Sequence, residues 1–201
     1  MLRKELLEDL ELKKPKLSPS NITVFGSART PSKEPIYQRV KALCALLASE
    51  GFNIITGGGF GLMGAANEGA FGLSKSTGIN IKLPHEQSPN PFTDELFTYK
   101  TFPLRKQALF DASSIFIFTP GGFGTLDELF EALTLKQTGF RPDALIVLYG
   151  EEFWRPMDDF LQCCVKGAGM IDDEDLHLII DDDLKLVKAC QEHRAVTFGN
   201  S

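Results

Sequence analysis

The chain has 201 residues, of which 43% are hydrophobic and 24% charged, and Lys+Arg 21 against Asp+Glu 27 leaves a net charge of −6. Such a length and composition suit one globular domain with its own core, and exclude collagen-like, coiled-coil and wholly disordered chains. The acidic balance argues against a general nucleic-acid binder, and no apolar run nears the roughly 20 residues needed to cross a bilayer.

Met1-Leu2-Arg3-Lys4-Glu5 lacks an apolar signal core, so the expected location is cytoplasmic, away from membranes. Cys44, Cys163, Cys164 and Cys190 show no CxxC spacing and read as reduced packing residues, with no metal site. Residues 1–20 alternate charge with leucine and then run through Lys13-Lys14-Pro15 and Ser18-Pro19-Ser20, which suggests a tail or short docking helix. Residues 21–201 then form a single domain.

From Asn21 onward, β-type runs alternate with helical periodicity. Ile22–Phe25, Phe52–Thr56, Gly78–Leu83, Ser114–Thr119 and Ala144–Tyr149 read as strands. Between the first two, Ile36, Val40, Leu43, Cys44 and Leu47 line one face of a helix that Gly51 ends. Pro84–Phe97, rich in proline and polar residues, is a candidate lid or interface loop. Beyond the last long strand come a helix around Phe153–Val165, a short strand near Leu178–Ile180 and a final helix from about Asp183 to His193. The acidic clusters Asp172–Asp175 and Asp181–Asp183 suit helix N-termini and solvated surface better than a cation site. Repeated strand–helix–strand units imply parallel pairing, hence a doubly wound α/β sheet with helices on both faces.

Three strands end in loops that favour close approach to the backbone. The first holds Gly26 and Ser27, the second Gly57, Gly58, Gly59, Gly61 and Gly64, the third Gly121, Gly122, Gly124 and Thr125. In an open parallel sheet, ligands bind outside the carboxyl ends of strands, so these loops are expected to converge on one crevice. Bare backbone followed by a helix N-terminus suits a phosphate. Gly59-Phe60-Gly61-Leu62-Met63-Gly64 matches G-x-G-x-x-G, but it sits in the second βα unit and no acid closes the next strand, which disfavours a redox dinucleotide. A P-loop is absent from the sequence.

Thr125-Leu126-Asp127-Glu128 fits a capping box; equally, a carboxylate in that first turn could face the sugar of a bound nucleotide. The residues alone leave both open. Arg105 and Lys106 read either as a solvated basic turn or as cations at the mouth of the same crevice.

The combination Gly57–Gly64, Arg105-Lys106 and Pro120-Gly121-Gly122-Phe123-Gly124-Thr125-Leu126-Asp127-Glu128, followed by Lys136-Gln137-Thr138, resembles the LONELY GUY (LOG) family, over roughly Asn21 to Gln191. The resemblance implies a Rossmann-like homodimer or higher homo-oligomer. It would hydrolyse the N-glycosidic bond of a nucleoside 5′-monophosphate, purine or cytokinin-type, to free base and ribose 5-phosphate, without cofactor. It also implies that Arg105 and Glu128 are catalytic, and that Lys106, Thr125 and the glycines of the motifs bind the nucleotide. Members are often labelled lysine decarboxylases, an activity that needs a lysine-bound pyridoxal phosphate and a larger cofactor site. Cytokinin-producing members commonly carry Met-His-x-Arg-Lys where this chain has Phe102-Pro103-Leu104-Arg105-Lys106, and they lack a long insert like 84–97. The rival reading is a non-catalytic nucleotide sensor or cofactor carrier on the same scaffold, with Glu128 only a helix cap.

Overall fold

A computed structural model describes residues 2–12, 15–82, 88–171 and 176–199. Strands β1 (Asn21–Phe25), β2 (Asn53–Thr56), β3 (Ser76–Ile81), β4 (Glu95–Tyr99), β5 (Ile115–Phe118), β6 (Leu145–Leu148) and β7 (Leu178–Ile179) form one parallel sheet, in the order β4-β3-β2-β1-β5-β6-β7. The chain builds outward from β1 to β4, then returns to lay β5 against the other side of β1. That reversal opens a crevice above the carboxyl ends of β1 and β5.

Side-chain alternation sends each strand's residues to two cores. Ile22 and Val24 of β1, Ile115 and Ile117 of β5 and Val147 of β6 pack beneath α2 (Pro35–Ser49), α3 (Leu62–Ala70) and α7 (Asp183–Phe198). Phe25, Phe116, Phe118, Ile146 and Leu148 face the opposite way, toward α4 (Phe102–Asp111), α5 (Phe123–Gln137) and α6 (Glu151–Phe160). There Phe25 stacks on Phe118 at 4.6 Å between ring centroids, directly under the crevice. Helix α2 forms because Pro35 suits its first turn and its apolar residues recur on one face, including Val40, Leu43, Cys44 and Leu47. Gly51, at φ 81, turns the chain out of it.

Four expectations need correction or bounding. The segment 84–97 is not loop throughout: its end, from Glu95, pairs with β3 as the edge strand β4, whose alternating burial the proline-rich run before it obscures. Residues 83–87, and with them part of the expected lid, lie outside the described residues, as does the acidic cluster 172–175. The helix expected around Phe153–Val165 runs as α6 and then widens into a π-helix, Leu161–Lys166. This leaves Cys163 and Cys164 exposed, whereas Cys44 and Cys190 are buried as packing residues. The second acidic cluster does serve helix ends: Asp182 caps α7 by accepting from the Lys185 amide at 2.9 Å, and Asp181 accepts from the Gly150 and Glu151 amides at the start of α6.

The leading segment is helix α1 (Leu2–Leu10), docked against α4. Among the described residues no helix is long and apolar enough to cross a membrane.

Candidate active site

The loops after β1 and β5 are tied edge to edge. The Ser27 amide donates to Pro120 O at 3.0 Å, and the Thr119 hydroxyl donates to Phe25 O at 2.9 Å. A methyl at Gly26 would lie 2.0 Å from Thr119 Oγ1, so this approach requires glycine. Together they frame a cleft of about 600 Å³ lined by Gly26, Ser27, Ala28, Arg29, Met63, Arg105, Gly122, Phe123, Gly124, Thr125, Leu126 and Glu128. That volume is ample for a small-molecule ligand.

Helix α5 starts on the wall of this cleft. Its N-cap is Gly122, with no side chain capping it, so its first amides and its positive dipole end face the opening. The capping box suggested by Thr125-x-x-Glu128 does not form, because the helix begins at Phe123 and Thr125 is already inside its first turn. A methyl at Gly121 would fall 2.1 Å from Thr125 Oγ1, so the turn is wound tightly over that hydroxyl.

Glu128, freed from capping, points across to α4. Its Oε1 accepts from Arg105 Nη1 at 3.2 Å, and the two side chains are only 11% and 12% exposed. Arg105 is held from behind, since its Nε donates to Ile79 O at 3.0 Å and its Nη2 end lies where a Gly57 side chain would be, 2.2 Å from such a methyl. Burial pushes the Glu128 carboxyl up from 4.5 to about 7; Asp127 reinforces the rise, while Arg105 and Lys106 oppose it. The site therefore holds a carboxyl that burial shifts toward neutral pH, beside a fixed cation and a helix amino end.

The second glycine loop takes a supporting place. Gly57, Gly58, Gly59, Gly61 and Gly64 stand outside the cleft wall. Gly61, at φ 64, presses against the Ser27–Ala28 backbone, and the next amide, Leu62, donates to Ser27 O at 2.8 Å. Asn90 clamps the loop from the far side: its amide and its Nδ2 donate to Gly58 O and Gly59 O, and its Nδ2 also reaches Asn67 Oδ1. Lys106 turns away from the cleft to Asp127 and Glu131, at 3.0 and 2.7 Å.

Sequence reasoning passed over Ala28, Arg29, Met63, Phe123 and Leu126 as site residues. Arg29 had a usable signal, its place two residues after Ser27 in the first glycine loop, where its amide donates to Ser27 Oγ at 3.0 Å. The other four are apolar positions whose exposure to the cleft only the fold reveals.

These features define a doubly wound, Rossmann-like protein with an acid–cation pair in its switch-point cleft. Residues 63–190 match the family model described as "Possible lysine decarboxylase", and the chain belongs to that family, the LOG family. It is 33% identical over 124 residues to the cytokinin riboside 5′-monophosphate phosphoribohydrolase of Mycobacterium marinum, and 36% identical over 124 residues to that of Mycobacterium tuberculosis. In each case the match covers 60% of this chain and 66% of the relative. Against the Arabidopsis thaliana enzyme LOG1 of the same name it is 27% identical over 179 residues, 86% of this chain and 83% of that one. Among solved structures, the molybdenum cofactor carrier protein of Chlamydomonas reinhardtii superposes with a TM-score of 0.62 at 20% identity, covering 91% of this chain and 99% of its own. The molybdenum cofactor binding protein of Rippkaea orientalis gives 0.61 at 20%, covering 90% and 98%. At that identity they show a shared fold. The decarboxylase in the family description would need a lysine to hold pyridoxal phosphate; among the described residues none lines the cleft.

Proposed function

We propose that the protein is a nucleoside 5′-monophosphate phosphoribohydrolase, which cleaves the N-glycosidic bond with water to release a free base and ribose 5-phosphate. The observation that carries this reading is the buried Glu128–Arg105 pair set beside the uncapped amino end of α5 in one cleft. The names of the phosphoribohydrolase relatives support it.

The chemistry follows from the charges. As the bond from C1′ to the base nitrogen lengthens, positive charge builds on the ribose ring, and an ionised Glu128 facing that ring lowers the barrier. The same carboxylate can orient the attacking water and take its proton as the new C1′–O bond forms, while the electron pair of the broken bond leaves with the base; transfer of that proton to the departing base nitrogen, directly or through solvent, completes the reaction and restores the carboxylate. Arg105 keeps Glu128 in place and keeps enough of it ionised near neutral pH. The 5′-phosphate is held by the first amides of α5 around Gly122, Gly124 and Thr125, with Gly26 and Ser27 opposite. Binding energy at that remote group then aligns the sugar against Glu128. Gly57 and its neighbours act by backing Arg105 and the Ser27 loop.

In this proposal the enzyme works on AMP and related nucleotides as a cytoplasmic homodimer or higher homo-oligomer. Phe123 and Phe130, 93% and 42% exposed and seven residues apart on one face of α5, form an apolar stripe that runs along the helix from the cleft and suits a second copy. Incubation with a panel of nucleoside monophosphates, with chromatography for free base, tests the reading. Release of adenine from AMP is expected; tight nucleotide binding with no base released from any member would instead favour a sensor or carrier.

A further inference from the structure

Helix α1 and the fold it docks on are joined by one buried carboxylate. Asp9 is 1% exposed, and its two oxygens accept from the Lys100 amide at 2.9 and 3.1 Å, the Thr101 amide at 2.8 Å and the Thr101 hydroxyl at 2.6 Å. Those donors are the approach to α4, whose own N-cap residue, Thr101, makes no side-chain cap. Asp9 therefore caps the entry to α4 from another helix, accepting from the amides of the N-cap residue Thr101 and of Lys100 just before it, and placing negative charge near the helix's positive end. Pro103 stiffens the same turn but has no amide to contribute.

Arg105 stands in that first turn, with its amide on Thr101 O at 3.2 Å. The geometry points to Asp9 as a positioning residue for the proposed hydrolysis, a remote cap that fixes the turn from which Arg105 reaches Glu128. The inference rests on the function proposed above for its catalytic consequence, but not for the structural link itself. Without the cap, the first turn of α4 frays and Arg105 loses a fixed origin, while the phosphate cradle on α5 is untouched. The expected signature is a fall in kcat with little change in KM.

The test compares Asp9→Asn, which keeps size but turns a donor toward the amides, with the milder Thr101→Ala. Glu8→Gln, which removes the exposed pairs of Glu8 with Lys100 and Lys4 and leaves Asp9 in place, is the control. At a temperature well below unfolding, Asp9→Asn should lower kcat on AMP by about tenfold or more, with KM within about twofold, and Thr101→Ala by a few-fold. Independently of turnover, hydrogen exchange by NMR should show the Arg105 Nε–H, held on Ile79 O in the parent, exchanging faster in Asp9→Asn, with sheet amides unchanged. If Asp9→Asn lowers only the melting temperature while kcat and the Arg105 Nε–H are as in the parent, α1 is a staple and the inference is wrong. If the parent itself releases no base, the proposed function fails, and the exchange measurement still decides whether Asp9 holds Arg105.

Discussion

Replacing Glu128 by glutamine changes a charge and almost no volume, so its effects on stability and turnover should run in opposite directions. In the folded protein, burial lifts the carboxyl from 4.5 to about 7. A carboxyl raised in this way favours folding fully below pH 4.5, and that contribution is lost as pH climbs through 7. The difference amounts to about 3 kcal/mol. Glutamine never ionises and matches the neutral carboxyl in size, so the variant escapes the loss; Arg105 is already counted in the value of about 7. Urea unfolding should therefore show Glu128→Gln within about 1 kcal/mol of the parent at pH 5, and about 2–3 kcal/mol more stable at pH 8.5. Release of adenine from AMP should fall by on the order of 10²–10³-fold, because the group proposed to face the developing ribose cation is no longer charged. Equal turnover would remove Glu128 from the chemistry. A stability gap that is the same at both pH values would show that the carboxyl is not held near neutrality by burial.

Three further outcomes follow from the same site. The parent's kcat/KM on AMP should rise with pH through a midpoint near 7, the value to which burial and Asp127 push Glu128 against Arg105 and Lys106; a rate that falls over this range would make the carboxyl a proton donor to the leaving base instead. Adenosine, which lacks the group held at the α5 amino end, should react about 10²-fold or more slowly than AMP, and comparable rates would refute the phosphate cradle. Gly121→Ala places a methyl 2.1 Å from Thr125 Oγ1 and should unwind the start of α5, lowering both melting temperature and activity. Gly124→Ala meets no atom within 4 Å and should keep the melting temperature within about 2 °C while raising KM for AMP. Thermal melts and initial rates on the two variants separate these effects.

The central strands were legible because both their faces are buried, so runs such as Ile115-Phe116-Ile117-Phe118 are continuous and apolar. The edge strand β4 was hidden because Leu96 and Thr98 alternate with more buried neighbours only once β3 lies beside them. At the site, the glycine spacing pointed to the crevice and the family resemblance singled out Arg105 and Glu128, but their ion pair appears only in the fold, because 23 residues of chain separate them. Local pattern could not decide the role of Glu128: Thr125-x-x-Glu128 has the form of a capping box, but the helix starts ahead of it, at Phe123, with Thr125 wound closely against Gly121. Asp9 left no mark at all, since a contact between residues 91 apart in sequence has no periodicity to read.

Arg105 and Glu128 both rise from α4 and α5, on the same side of the sheet, while α2, α3 and α7 pack on the other. Reaction geometry and much of the bulk that keeps the chain folded are thus divided between two layers. Repacking α2 against α7, for instance at Val40 or Leu186, can drift over evolution or be engineered for heat tolerance without moving the Arg105–Glu128 pair.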